Sequence, residues 1–204
     1  MAKAKKSKRR SVARSRARAS RSQPRDAIAV LTADHREAEE IFEQFHKTGS
    51  DSRKQELARK VCKALKVHTQ IEEEIFYPSF LQATEEEDIH HEAEIEHQGA
   101  TRLIEEIEAS GPEDDYFDAK VKVLSEMIKH HVNEEEKRGG MFSKARQSDM
   151  DLKELGKQLA TRKAQLMGED DAAQKSPARG GSRKSARSGD GSTLRSLLHR
   201  SGEA

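Results

Sequence analysis

Apolar side chains recur at three- and four-residue intervals through four long segments of the chain, and turn-forming residues separate these segments. The first segment follows Pro24 and Asp26, which mark the start of a helix. Its stripe includes a histidine and consists of Ile28, Leu31, His35, Ala38, Phe42 and Phe45. The Thr-Gly-Ser-Asp run at residues 48–51 ends this helix and offers a cap for the next.

The other three segments also place a histidine on the inner face. The second predicts a helix over residues 53–77 that Pro78 ends or kinks; its inner face consists of Leu57, Val61, Ala64, Leu65, His68, Ile71, Glu72 and Ile75. The third begins at residues 84–87, which resemble a capping box, and ends at residues 110–112; its stripe is Ala93, His97, Ala100, Ile104 and Ile107. The fourth begins near Asp114 or Asp115 and ends at Gly139 and Gly140; it carries Phe117, Val121, Leu124, Ile128, His131 and Glu135.

A weaker apolar pattern over residues 149–167 predicts a short fifth helix on the outside, through Leu152, Leu155, Leu159 and Leu166. Four substantial helices joined by short loops, with no convincing strand, predict an all-α fold, an up-down-up-down four-helix bundle. The predicted domains are a disordered basic tail, the bundle, an accessory helix and a flexible basic tail, at residues 1–25, 26–146, 147–168 and 169–204.

The formal net charge of +1 conceals an acidic body between two basic tails. Residues 1–25 contain eleven Lys or Arg and no acid, and residues 174–204 contain seven basic and two acidic residues, which leaves −15 for residues 26–173. The tails contain little that could be buried, so we expect disorder there. Residues 193–199 are the exception, an apolar patch that could form a short partner-binding helix.

The compartment is predicted from cysteine content and hydropathy. Cys62 has no partner for an internal disulfide and is interpreted as a buried core thiol in a reducing compartment. No stretch approaches the roughly 18 apolar residues of a spanning helix, and no secretory signal precedes the first helix. A cytoplasmic protein with no membrane partner is expected. A less favoured alternative interprets the N-terminal run as an organelle transit peptide.

Two of the helices repeat a histidine with a carboxylate four residues later. His68 with Glu72 is one such pair, and His130 with Glu134 or His131 with Glu135 is the other. Residues at this spacing lie above one another on one helical face, so a pair can hold one ion. Burying a carboxylate on an inward stripe is costly unless it is paired or binds a metal. Together with His35 and His97, these pairs predict a metal site inside the bundle.

The donor types narrow the choice of metal. Mixed imidazole and carboxylate donors suit iron, manganese or zinc, and the absence of cysteine donors argues against an iron-sulfur cluster or a zinc thiolate site. Ferritin-like bundles use Glu-x-x-His, whereas here the order is reversed and the spacing is four.

The acid-rich runs at residues 72–74, 85–87 and 134–136 are interpreted as mostly solvated surface, with no chemistry for their outward members. The aromatic side chains are interpreted as core and bundle-end packing: Phe42, Phe45, Phe76, Tyr77 and Phe142.

Taken together, these motifs resemble the hemerythrin-like HHE cation-binding domain family over about residues 26–146. The resemblance rests on Leu31-x-x-Asp34-His35, His68-x3-Glu72-Glu73 followed by Phe76-Tyr77-Pro78, Glu96-His97, and His130-His131-Val132-x-Glu134-Glu135-Glu136 with Met141-Phe142. It implies a four-helix bundle that holds two bridged, non-heme iron ions. The implied ligands are terminal histidines and bridging glutamates, namely His35, His68, His97, His131, Glu72 and Glu135. His131 is preferred over His130 because the second histidine of the family's doubled pair usually ligates, and because it is in register with Leu124 and Ile128.

Two departures from the family pattern bear on function. Oxygen-carrying hemerythrins resemble each other in a third-helix His-x3-His, but position 93 here is alanine, and their fourth helix ends in an aspartate ligand rather than glutamate. Fewer nitrogen ligands make reversible oxygen storage a poor fit. The loop at residues 137–140 is also about two residues longer than usual, and Ser143 replaces the customary proline.

Three functions remain open on this basis. The leading hypothesis is a di-iron protein that binds or senses oxygen, nitric oxide or peroxide, or handles iron. A di-iron peroxidase or oxygenase is the enzymatic alternative, although the sequence does not indicate a substrate pocket. The third hypothesis is a helical module tethered non-specifically to nucleic acid through residues 1–25, whose eleven basic side chains could neutralise phosphates. An equally weighted alternative is that this tail only solubilises the protein or pairs with its acidic body.

Overall fold

The computed structural model describes residues 26–175, with side chains described to residue 168, and this part of the chain contains helices and no strand. The elements, in chain order, are α1 Ala27–Lys47, α2 Asp51–Ile71, a π-helical turn Glu72–Phe76, α3 Tyr77–Thr84, α4 Glu87–Glu108, α5 Phe117–Glu136, α6 Met141–Gln147 and α7 Leu152–Lys175. The all-α prediction is confirmed. The predicted tails lie outside the described residues at 1–25 and at 176–204, which includes the apolar patch at 193–199, but residues 169–175 of the predicted C-terminal tail belong to α7.

The first helix begins where the sequence predicts, and the second begins at Asp51, two residues before its predicted start. Asp26 caps α1 by accepting a hydrogen bond from the backbone N–H of Ala29 at 2.7 Å. Ser50 caps α2 by accepting from the N–H of Arg53 at 3.4 Å. The turn between them is therefore short, and it holds the two helices side by side.

Four helices surround the core, because α1 packs on α2 and α5, while α4 packs on α2 and α5. Their inner faces form two apolar clusters. In α1, Leu31 belongs to one cluster and Ala38 to the other, and His35 lies between them. In α4, His97 lies in the same way between Ala93 and Ala100. The inward histidines therefore occupy a polar layer where the clusters meet.

Two predicted helix boundaries are wrong. Pro78 does not end the second helix, since the path continues through the π-helical turn and α3 to Thr84. The proline occupies the first turn of α3, where its missing N–H is tolerated. Thr84 does not cap α4 either, because it is the last residue of α3; its hydroxyl donates to the Phe80 carbonyl and accepts from the N–H of Glu86.

The C-terminal elements are more extensive than predicted. As expected, the fourth long helix, α5, ends before Gly139 and Gly140, and Gly139 has a φ of 82°. The short helix α6 then returns with Met141, Phe142 and Ala145 buried. Helix α7 runs to Lys175, beyond the predicted boundary at residue 168, and packs on α1, α2 and the π-helical turn. None of the described helices combines the length and apolar character needed to cross a membrane.

Candidate metal centre

The polar layer brings together all six side chains that the sequence predicts as ligands. Each is at most 6% exposed although all are polar or ionisable: His35, His68, Glu72, His97, His131 and Glu135. They come from α1, α2, the π-helical turn, α4 and α5. A buried carboxylate is costly unless something compensates its charge. The layer therefore requires positive charge among these side chains.

One group of donors contains His35, His68, Glu72 and Glu135, whose ligand atoms all lie within 4.8 Å of one another. The Nε2 atoms of His35 and His68 are 3.1 Å apart. His68 Nε2 is also 3.1 Å from Glu72 Oε2, and His35 Nε2 is 3.3 Å from Glu135 Oε2. Two imidazoles and two carboxylates thus face one ion-sized space.

A second group contains Glu72, His97 and His131, and so it shares Glu72 with the first. His97 Nε2 lies 3.4 Å from Glu72 Oε2 and 3.3 Å from His131 Nε2. His131 Nε2 is 3.8 Å from Glu135 Oε2, so this carboxylate also faces both groups. The arrangement could hold two cations side by side, with Glu72 and Glu135 between them.

Every one of the four histidines also turns its outer nitrogen, Nδ1, toward a carboxylate. The distance is 2.7 Å from His35 to Glu136, 2.8 Å from His131 to Glu96, and 3.2 Å from His97 to Glu73. For His68 the carboxylate is Asp34, at 3.7 Å. A carboxylate on the outer nitrogen orients a metal-binding imidazole and leaves Nε2 free to donate its lone pair.

The interpretation that assigns no role to the outward members of the acid-rich runs does not hold for Glu73 and Glu136, although Glu73 is exposed as expected. Both belong to acid-rich runs, and both contact the Nδ1 atom of a histidine on another helix. Helical position alone cannot show that an imidazole on a neighbouring helix lies within reach of these carboxylates. By contrast, Glu134 contacts Lys137 at the surface, as expected.

The charges of the layer support cation binding. Burial alone would lower the pKa of His68, but Glu72, with Asp34 and Glu135, raises this pKa to about 10. In the same way burial opposes, and Glu72 and Glu73 outweigh it to raise, the pKa of His97 to about 9. The pKa of Glu72 lies well below its usual value because His68 and His97 overcome its burial. Within the part of the chain that the structure describes, both oxygens of Glu72 and Oε2 of Glu135 are buried without a hydrogen-bond donor. These orphaned oxygens and converging imidazoles fit a metal with mixed nitrogen and oxygen ligands.

Tyr77 also belongs to this layer, although its sequence position indicated only packing. Its ring is stacked on His97 with centroids 5.4 Å apart, and its hydroxyl lies 3.2 Å from His97 Nε2. The hydroxyl donates to Glu135 Oε1 at 3.3 Å. Burial, reinforced by Glu72 and Glu135, raises its pKa well above the usual value. Tyr77 is therefore a neutral donor beside the candidate ligands.

The structure distinguishes His130 from His131 on α5 and shows what surrounds Ala93 on α4. His130 is 63% exposed and faces Glu96, whereas His131 points into the layer. Ala93 is buried and lines a cavity of about 220 Å³ together with His131, Glu135 and Met141. Position 93 would carry a further histidine in the oxygen carriers, so this cavity is open where they would have a side chain.

Comparison with known proteins agrees with this fold. The hemerythrin HHE cation-binding domain matches residues 26–139. A solved HHE cation-binding domain-containing protein from Mycobacterium kansasii has a similar fold, with a TM-score of 0.59 and 17% identity, covering 76% of this chain and 95% of that one. A Nostoc protein described as a DNA nickase is 29% identical over 107 residues, which are 52% of this chain but only 30% of the Nostoc protein. Because the domain match covers more than half of its length, this chain belongs to the hemerythrin HHE cation-binding family.

Proposed function

We propose that the protein is a non-heme metal protein that holds two iron ions and binds or senses oxygen, nitric oxide or peroxide. The observation that carries this proposal is the convergence of four Nε2 atoms and two buried carboxylates in one layer. A carboxylate lies within hydrogen-bond distance of the outer nitrogen of His35, His97 and His131, and Asp34 faces that of His68 at 3.7 Å. Such an arrangement has no evident role in apolar packing, since it brings lone pairs together.

The residues divide between two metal positions. His35 and His68 would hold one ion, His97 and His131 would hold the other, and Glu72 and Glu135 would bridge them. A bound pair of iron ions would supply open coordination positions and electron transfer to a small ligand. The protein contributes orientation through the outer carboxylates, exclusion of water through the two apolar clusters, and a neutral proton donor in Tyr77.

The size of the cavities indicates the class of ligand. The space beside His131, Glu135 and Ala93 measures about 220 Å³, and a second cavity that His35 and His68 line measures about 20 Å³. A water molecule needs roughly 10 to 15 Å³ on this measure, so the smaller cavity suits a molecule of a few atoms. Drug-sized ligands need pockets of roughly 300 Å³ or more. Diatomic molecules and peroxide are therefore better candidates than an organic substrate.

Metal analysis tests the proposal directly. Protein purified without added metal should contain about two irons per chain, which is the number implied by two imidazole pairs and shared carboxylates. Joint His68→Ala and Glu72→Ala substitution should abolish this iron, because it removes one terminal ligand and one bridge. The measurement is elemental analysis with an optical spectrum.

The chain offers a matched control for that experiment. His90 and Glu94 have the same four-residue spacing and lie 3.7 Å apart, but outside the converging set. Joint His90→Ala and Glu94→Ala substitution should leave the iron content unchanged. Equal iron in the two double variants would reject the ligand assignment. Steady-state turnover of peroxide by the iron-loaded protein would favour the peroxidase alternative, whereas stoichiometric reaction would favour a sensor.

A second function, association with DNA, has its own observations. Residues 1–25 carry eleven Lys or Arg and no acid, and the Nostoc relative is described as a DNA nickase. Cations that neutralise phosphates give sequence-independent affinity that weakens with salt. Stacking on bases is not expected, because no aromatic residue interrupts the basic run.

Deletion of residues 1–25 tests the DNA proposal. The full chain should be retained on DNA-cellulose at low salt and should elute as salt rises, and the truncated chain should pass through. Undiminished retention after truncation would reject this role for the tail. Nicking of supercoiled plasmid by the full chain, lost on joint His68→Ala and Glu72→Ala substitution, would assign the metal centre to DNA cleavage instead.

A further inference from the structure

Helix α7 lies outside the domain match at residues 26–139. It nevertheless places two adjacent basic residues beside segments that carry candidate ligands. Leu155, Leu159 and Leu166 dock it on the bundle. Arg162 donates to both oxygens of Glu74, at 2.6 and 3.1 Å, and Lys163 donates to Asp34 Oδ1 at 2.6 Å. Asp34 immediately precedes His35 in the sequence. Helix α7 therefore contacts residues that adjoin the candidate ligands.

Asp34 lies between Lys163 and His68, and it makes its short contact with the lysine. Its other oxygen, Oδ2, is 3.7 Å from His68 Nδ1, which is too long for a hydrogen bond. Both atoms are buried and have no hydrogen-bond partner among the described residues. The other three histidines have their carboxylates at 2.7 to 3.2 Å. His68 is thus the histidine whose carboxylate is held by a cation from α7.

We propose that Lys163 is a positioning residue that acts through Asp34 to weaken electron donation by His68, so that α7 sets the reduction potential of the centre. This inference rests on the proposed function. A carboxylate bonded to the outer nitrogen makes a histidine a stronger donor. Lys163 draws the charge of Asp34 away from His68, and its own charge disfavours the more positive oxidised metal. Both effects raise the potential, so removal of the lysine should lower it.

A cavity of about 20 Å³ lies between Lys163 and the candidate ligands. Lys163 and Asp34 line it together with His35, His68 and His131. The Lys163 side chain is 30% exposed, so it lies toward the solvent side of a space that candidate ligands also line. A change of charge at position 163 therefore acts on the candidate ligands across a small, largely apolar gap, where charges interact more strongly than in water.

The experiment uses the full chain loaded with iron. Lys163→Met keeps the length of the side chain and removes the charge, and Lys163→Arg restores the charge. Lys157→Met is the control, since Lys157 is on the same helix but pairs with exposed Glu154 at 2.7 Å. Optical redox titration should show that Lys163→Met shifts the oxidised-to-reduced ratio about tenfold toward the oxidised form, which is about 59 mV for a one-electron couple. Lys163→Arg and Lys157→Met should stay within about twofold of the unmodified protein.

Asp34→Asn supplies an independent second variant. Removal of the carboxylate charge beside His68 should raise the potential, opposite in direction to Lys163→Met. Because the lysine acts through Asp34, Lys163→Met should shift the potential less in the Asp34→Asn background than in the unmodified chain. An equal shift in both backgrounds would contradict action through Asp34.

The outcomes separate this inference from the proposed function. An unmodified protein that binds no iron overturns both. Iron at two per chain with an unchanged potential in Lys163→Met overturns only the role of Lys163. Loss of iron in Lys163→Met assigns the lysine to holding the fold and overturns the inference as well, and an equal shift in Lys157→Met shows a general effect of surface charge.

Discussion

At the residue scale, the π-helical turn explains how Tyr77 reaches the candidate metal centre. In a regular α-helix a residue five positions after Glu72 would point about 140° away from it. Here the backbone N–H of Tyr77 bonds to the carbonyl of Glu72, an i to i+5 bond, so the extra residue in the turn brings the tyrosine to the side of His97. Such turns are frequent at functional sites, and this one connects the candidate ligand Glu72 to the hydroxyl donor of Tyr77.

Tyr77→Phe should destabilise the metal-free protein by about 1 to 3 kcal/mol, because it leaves Oε1 of buried Glu135 without its donor. Iron content should be retained, since the hydroxyl is outside the proposed ligand set. Urea denaturation measures the free energy of unfolding. Tyr116→Phe is the control, because Tyr116 is 70% exposed, and it should have almost no effect. Equal stabilities of the two variants would exclude a structural role for the buried hydroxyl.

At the scale of elements, the Lys137–Gly140 connection determines how α6 closes the layer. Phe142 on α6 lies parallel to the ring of His35, with centroids 5.7 Å apart, and meets Phe76 edge-on. To return so sharply, the backbone at Gly140 approaches the last turn of α5. A Cβ there would clash with the carbonyl oxygen of Glu134 and lie 3.0 Å from that of Glu135. The longer loop therefore packs closely against this end of the bundle.

Gly140→Ala should cost about 1 to 3 kcal/mol of stability, as overpacking usually does, because backbone atoms cannot move aside as a flexible side chain can. Gly49→Ala is the matched control, since a Cβ at that turn meets nothing within 4 Å. The midpoint of thermal or urea unfolding measures both. If the two substitutions are equally tolerated, the close approach at Gly140 does not constrain the fold.

At the scale of the whole molecule, metal binding, protonation and folding are coupled through the polar layer. The layer lies between two apolar clusters that cannot compensate its negative charge. Protons on His68 and His97 compensate it when no metal is bound, as their raised pKa values show. A metal must displace these protons, so iron binding should release protons and should strengthen as the pH rises.

The stability of the metal-free protein should fall as the pH rises. The pKa values of His68 and His97 are about 10 and about 9 in the folded state, above the usual value near 6.5 that the unfolded chain has. The folded state therefore holds more protons, and the free energy of unfolding decreases with pH. The contribution is complete below about pH 6.5 and is lost through about pH 9 to 10. Urea denaturation of chelator-treated protein measures it.

Iron-loaded protein is the control for this pH series. Its histidine nitrogens would be occupied by metal, so the fall over the same pH range should be much smaller. Rising stability of the metal-free protein between pH 6.5 and 9 would contradict the raised pKa values.

The sequence by itself determined the helical fold and the six converging side chains. Both depend on periodicity within a helix, which a single chain displays directly: His35, His68, His97 and His131 share stripes with apolar residues, and Glu72 and Glu135 lie one turn after a histidine. Only the tertiary structure decided which carboxylate lies behind each imidazole, because Glu73, Glu96 and Glu136 reach histidines on other helices. The same holds for Tyr77, brought inward by a π-helical turn, and for Lys163, brought to Asp34 by the docking of α7. These contacts join residues distant in sequence, and local periodicity carries no information about them.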